Sequence, residues 1–86
     1  IKDQVTIYDE IIIEPNPGVR LPVWFKDMEA YGVRLITKVA NEQNLWLIGY
    51  DNKIIEPTLM LNMLKKDKAI KFAEFNKKMF YDEHTV

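Results

Sequence analysis

Apolar positions open the chain at nearly alternate spacing. In QVTIYDEIIIEP, Val5, Ile7 and then Ile11 or Ile13 recur close to every second residue. β-Branched side chains dominate and Pro15 stops the run, so the pattern predicts a strand over 3–14. The phase slips between Val5/Ile7 and Ile12, which predicts a bulge around Asp9 and Glu10. PNPGVRLP (15–22) follows as a turn-rich connector. From Pro22 the period lengthens. In PVWFKDMEAYG, Trp24 or Phe25 with Met28 and Tyr31 line one face, Pro22 suits a first helical position and Gly32 can end the element. The expectation is a helix over 22–31.

VRLITKVANEQN (33–43 and Asn44) fits two periods. As a helix it carries a stripe of Leu35, Ile36, Val39 and Ala40; as a strand, Val33, Leu35, Thr37 and Val39 alternate with Arg34, Ile36 and Lys38. Two short apolar runs then flank Asp51-Asn52, residues that tolerate left-handed backbone, so 45–56 is expected as a hairpin. That register would set Tyr50 opposite Lys53 and Ile48 opposite Ile55. The remainder, 57–81, is expected as one helix or two. Leu59, Met60, Met63 and Leu64 form one stripe after Pro57, and Phe72, Phe75 and Met79 form a second, with Lys71, Lys77 and Lys78 outward.

Size and composition narrow the class. Eighty-six residues suit a single domain over 1–86, since two cores would each be too small. With 48% apolar residues such a domain can form a core unaided, and the absence of cysteine excludes disulfides and thiolate metal sites. A net charge of -1 argues against coating nucleic acid by bulk attraction. No apolar run suffices for a membrane span and no signal-peptide pattern opens the chain, so a cytoplasmic location without a membrane partner is expected. Charge is unevenly spread. Asp3, Asp9, Glu10 and Glu14 make the start acidic, whereas KKDKAIKFAEFNKK holds six of the twelve basic residues.

Catalytic parts are missing. The chain has no serine or cysteine, and its single histidine is His84, so triads and most general-base schemes lack their members. Asp82, Glu83 and His84 form a terminal cluster better read as a solvated tail than as metal ligands. Asp9, Glu10 and Glu14 are better read as an exposed acidic strand face than as a cation cradle. The three glycines stand apart, so there is no phosphate loop. The expectation is a non-enzyme with no cofactor and no metal. The lysine-rich stretch is either the solvated face of an amphipathic helix or a surface for phosphates or an acidic partner.

The order helix, Gly32, possible helix, hairpin, helix is that of a compact winged helix-turn-helix. ANEQNLWLIGYDNKIIEPTLMLNMLKK resembles the corresponding part of small excisionase-type proteins of phages and conjugative transposons, where a recognition helix leads into a wing and a closing amphipathic helix. The resemblance covers about a third of the chain, and Met28 and Lys38 depart from the helix-turn-helix pattern. It implies an α+β winged fold that binds duplex DNA as a regulatory or recombination-accessory protein of a phage or mobile element. Arg34, Lys38, Asn41 and Asn44 would then sit at the groove, Lys53 at the wing tip, and Lys71, Lys77 and Lys78 on phosphates. The alternative is a three- to four-stranded antiparallel meander on a C-terminal helix. That architecture suits a protein-binding accessory module or an inhibitor of a host enzyme, using an edge with Asp9, Glu10 and Glu14 and the side chains of Phe72, Phe75 and Met79. A third reading is a subunit that homodimerises through Phe72, Phe75 and Met79.

Overall fold

The computed structural model describes the backbone of residues 2–81 and the side chains of 4–78. Strand β1 (Lys2–Pro15) comes first, followed by helix α1 (Leu21–Asp27) and a 3-10 turn over Glu29–Tyr31. Pro22 lies in the first turn of α1, and Gly32 closes the turn at φ 68°, a left-handed conformation that glycine adopts without strain. Strands β2 (Arg34–Lys38) and β3 (Trp46–Gly49), helix α2 (Pro57–Lys66) and strand β4 (Ile70–Tyr81) complete the chain. The result is a small α+β domain. Its four strands lie in the order β2-β3-β1-β4, every neighbouring pair antiparallel. This β-α-β-β-α-β connectivity is the split arrangement of ferredoxin-like domains, here with helices of only seven and ten residues.

Strand register fixes which side chains share a face, because directly opposed residues point the same way. Ile11 lies opposite Ile48 and Phe75, and Ile13 opposite Trp46 and Ala73. These residues meet Trp24, Met28, Met60 and Leu64 from the helical layer. Ile11, Ile13, Ile48, Met60 and Leu64 are wholly buried, each contributing roughly 1.5–3 kcal/mol of transfer free energy. Polar bonds fasten the turn from α2 into β4. Asp67 accepts the Trp24 indole N–H at 2.9 Å through one oxygen and the Ala69 N–H at 2.9 Å through the other. Asn16 donates its side-chain amide to the Lys68 carbonyl at 2.7 Å and its backbone N–H to the Ala69 carbonyl at 2.8 Å.

The β1–β4 register jumps from Ile7 opposite Asn76 to Ile11 opposite Phe75, so Tyr8, Asp9 and Glu10 form a bulge where the phase of the sequence slips. Tyr50, buried at the end of β3, donates its hydroxyl hydrogen to the Tyr8 carbonyl and pins the bulge. Beyond that point β1 and β4 continue as a two-stranded arm, Lys2–Ile7 against Asn76–Tyr81, which β3 does not reach.

Over 33–43, where helix and strand were both open, the strand is formed: β2 occupies 34–38, its Leu35 opposite Ile48, and the chain then loops to β3. With no second helix after Gly32, the helix-turn-helix is not formed. The segment expected as a hairpin supplies only one strand. Past Tyr50 the chain winds into turns, Ile54 and Ile55 returning their N–H groups to the Asp51 carbonyl while the Asp51 carboxylate takes the Lys53 N–H at 2.9 Å. Asp51 therefore closes an Asx turn instead of a hairpin loop. The helix expected over 57–81 stops at Lys66, and Asp67 is already extended at ψ 124°. β4 follows because β1 is an inner strand whose second row of backbone groups needs a partner, which outweighs the helix propensity of Lys, Ala and Glu. The four-stranded antiparallel sheet of the alternative is present, but its order is not a meander, since β1 lies between β3 and β4.

Candidate functional site

Among the described residues no helix covers the second face of the sheet. Ile12 occupies its centre, opposite Leu47 on one side and Glu74 on the other. Glu14 lies opposite Phe72, Thr37 opposite Leu47, and Gly49 between Glu10 and Arg34. Ile12 and Leu47 are half-buried, and Phe72 remains 42% exposed. A Cβ at Gly49 would sit 2.8 Å from the Arg34 guanidinium carbon, so glycine here lets the arginine lie flat across the strand. Carboxylates flank the apolar group. Glu10 accepts the Asn76 side-chain amide at 2.9 Å, and Glu14 faces the Lys71 ammonium at 3.6 Å. A cleft of about 450 Å³ opens beside Phe72, lined by Glu14, Glu42, Gln43, Asn44 and Leu45. Such a face mixes an apolar group with carboxylates and the Arg34 and Lys71 cations, and it can seat a complementary surface by burial and charge.

The cations chosen from the sequence do not converge. A register shift between Leu35 and Thr37 puts Arg34 opposite Gly49 and Lys38 opposite Trp46. Gly49 and Trp46 are three residues apart in one strand, so the two cations point to opposite sides of the sheet. Lys38 instead lies over the Trp46 ring at 5.3 Å. Asn41 and Asn44 are exposed in the loop before β3, where Asn44 accepts the Trp46 indole N–H at 2.8 Å. Lys53 is exposed in the turn before α2. Lys71 is the unpaired residue of a second register shift, and Lys77 and Lys78, as neighbours in β4, face opposite ways.

The residues of the alternative reading are partly brought together. Glu10, Glu14 and Phe72 share the bare face, whereas Asp9 lies in the bulge. Phe75 is on the covered side, edge-on to Tyr8 with ring centroids 5.2 Å apart, so it cannot share a surface with Phe72. Met79 pairs with Gln4 in the arm, and its side chain lies outside the described set, as do Asp82, Glu83 and His84. The acidic strand is not an edge over 10–13, where β3 and β4 flank it. Ile12, Leu47, Glu42 and Glu74 were not singled out in the sequence. The signal available was the even-numbered trio Glu10, Ile12 and Glu14, which period two places on one face.

Among the described residues no group of three His, Asp or Glu side chains is placed to hold a metal ion, and no helix is long and apolar enough to cross a membrane. Burial raises the Tyr50 phenol pKa above its ordinary value, and Asp9 and Glu56 add to the effect. Its role is the structural bond to Tyr8. Comparison with family models, with curated proteins and with solved structures returns no match.

Proposed function

We propose that this chain is a protein-binding module, an accessory domain or an inhibitor of a host enzyme, that seats its partner on the bare sheet face. The observation that carries the reading is the apolar group Leu47, Ile12 and Phe72 on the face that no described helix covers, Leu47 beside Ile12 and Phe72 diagonal to them on the edge strand β4. An exposed aromatic within an apolar group is the composition expected of an interface centre. Glu10, Glu14, Glu42 and Glu74 against Arg34 and Lys71 leave this part of the face net acidic, which favours a partner carrying basic groups. Contact across a full face of this kind suits an interface of roughly 800 Å² per partner.

Duplex DNA, the first expectation from the sequence, has weaker support. A recognition element needs its cations on one side, and Arg34 with Lys38, like Lys77 with Lys78, diverge. One paired experiment separates the readings. The immobilised chain and its Phe72→Glu variant are challenged with lysate of the source cells and with random duplex DNA at the same salt. The expected result is one stoichiometric captured protein that Phe72→Glu releases. Capture that Phe72→Glu leaves unchanged, or a DNA shift with no protein captured, overturns the proposal.

A further inference from the structure

The described sheet has three free strand edges, and they are not equally protected. β2 is five residues long, fully exposed, broken by a register shift, and carries Arg34 and Lys38 at its ends. The outer edge of β4 carries Lys71, Lys77 and Lys78, with its own register shift at Lys71. Short length, bulges and cations are the devices that keep an edge from pairing. The third edge is the side of β1 from Lys2 to Ile7, left open because β3 ends at Gly49 opposite Glu10 and Tyr50 caps the Tyr8 carbonyl. Within it Gln4-Val5-Thr6-Ile7 has no charge and no proline, and Lys2–Ile7 pairs regularly with β4. β-Branched residues dominate this stretch, which suits it to strand pairing.

We propose that two copies of this chain join through this edge as antiparallel strands related by a two-fold axis at Val5. Directly opposed residues must share a face, so the axis stands normal to the sheet and the paired positions have the same parity. Centred on Val5, the pairing sets Val5 against Val5, Gln4 against Thr6, and Asp3 against Ile7, with no like charges opposed. Centred on Thr6 it would set Asp3 against Asp9. Val5, 45% exposed, and Ile7 lie on the bare side, opposite Lys78 and Asn76. Pairing therefore covers Val5 with its own copy and makes the two bare faces one continuous surface. The inference stands whether or not that face binds another protein.

The mass in solution tests it, measured by light scattering from low micromolar to millimolar concentration. The expected result is a two-fold rise from the 10.2 kDa chain mass. Val5→Lys alone and Val5→Glu alone each stay at the single-chain mass, because like charges meet at the axis. Their equimolar mixture recovers the doubled mass. Circular dichroism checks that both variants keep the fold, as substitution at an exposed arm position should allow. A wild-type chain that stays single at millimolar concentration overturns the proposal, as does a Val5→Lys dimer equal to wild type or a mixture that fails to pair.

Discussion

Ile11, Ile12 and Ile13 are consecutive, identical in chemistry and part of one strand, yet their surroundings differ completely. Ile11 and Ile13 are wholly buried beneath α1 and α2, while Ile12 stands half-buried on the side that no described helix covers. The difference teaches that alternation in a strand with apolar residues on both faces does not say which face is the core. The two connecting helices decide it, and what they leave uncovered is where a partner has room.

Substitution should divide the three isoleucines sharply. Ile13→Ala removes side-chain volume from the closed core and should cost about 3 kcal/mol in urea unfolding, against about 1 kcal/mol or less for Ile12→Ala. Equal losses would mean that both faces are packed. The bulge that joins body and arm offers a second, smaller contrast. Tyr50→Phe removes the hydroxyl bonded to the Tyr8 carbonyl and should cost about 1 kcal/mol. Folding raises the Tyr50 pKa, so its protonated form is favoured in the native state. That contribution is complete below the ordinary tyrosine value of about 10 and is lost as pH rises through the higher folded value. Wild type should therefore lose stability above pH 10 more steeply than Tyr50→Phe, as read from denaturant midpoints across that range. The smallest effect belongs to the rim. Lys71, 60% exposed, faces Glu14 at 3.6 Å, so Lys71→Ala should change stability by less than about 0.5 kcal/mol. A larger loss would show the bare face to be more closed than its exposure indicates.

Local signals made some elements legible. β1 could be read because β-branched residues alternate up to a proline, and its bulge because the phase breaks at Asp9 and Glu10. Pro22 and Gly32 bracket α1 and its 3-10 turn in the way the sequence suggests. The rest depended on distant partners. Arg34–Lys38 is extended because Leu35 lies opposite Ile48, a pairing that no window around residue 36 contains. Phe72, Phe75 and Met79 have helical spacing, but β4 is drawn out against β1, which splits Phe72 and Phe75 between faces. Asp51 followed by Asn52 carries hairpin chemistry, and the same short carboxylate can instead cap the Lys53 amide, as it does here. The site was legible only in part. Glu10, Glu14 and Phe72 stood out by residue type, whereas Leu47 joins them only once β3 is laid against β1.

Lys2 lies opposite Tyr81, so the start of β1 and the end of β4 meet at the outer end of the arm. Tension applied at those two residues would therefore open the fold like a zipper. Each hydrogen-bonded pair would carry the whole load alone before passing it to the next. Resistance to pulling would be low even if resistance to heat were high, and the last rungs to give way would be Glu14 with Phe72 and Pro15 with Ile70.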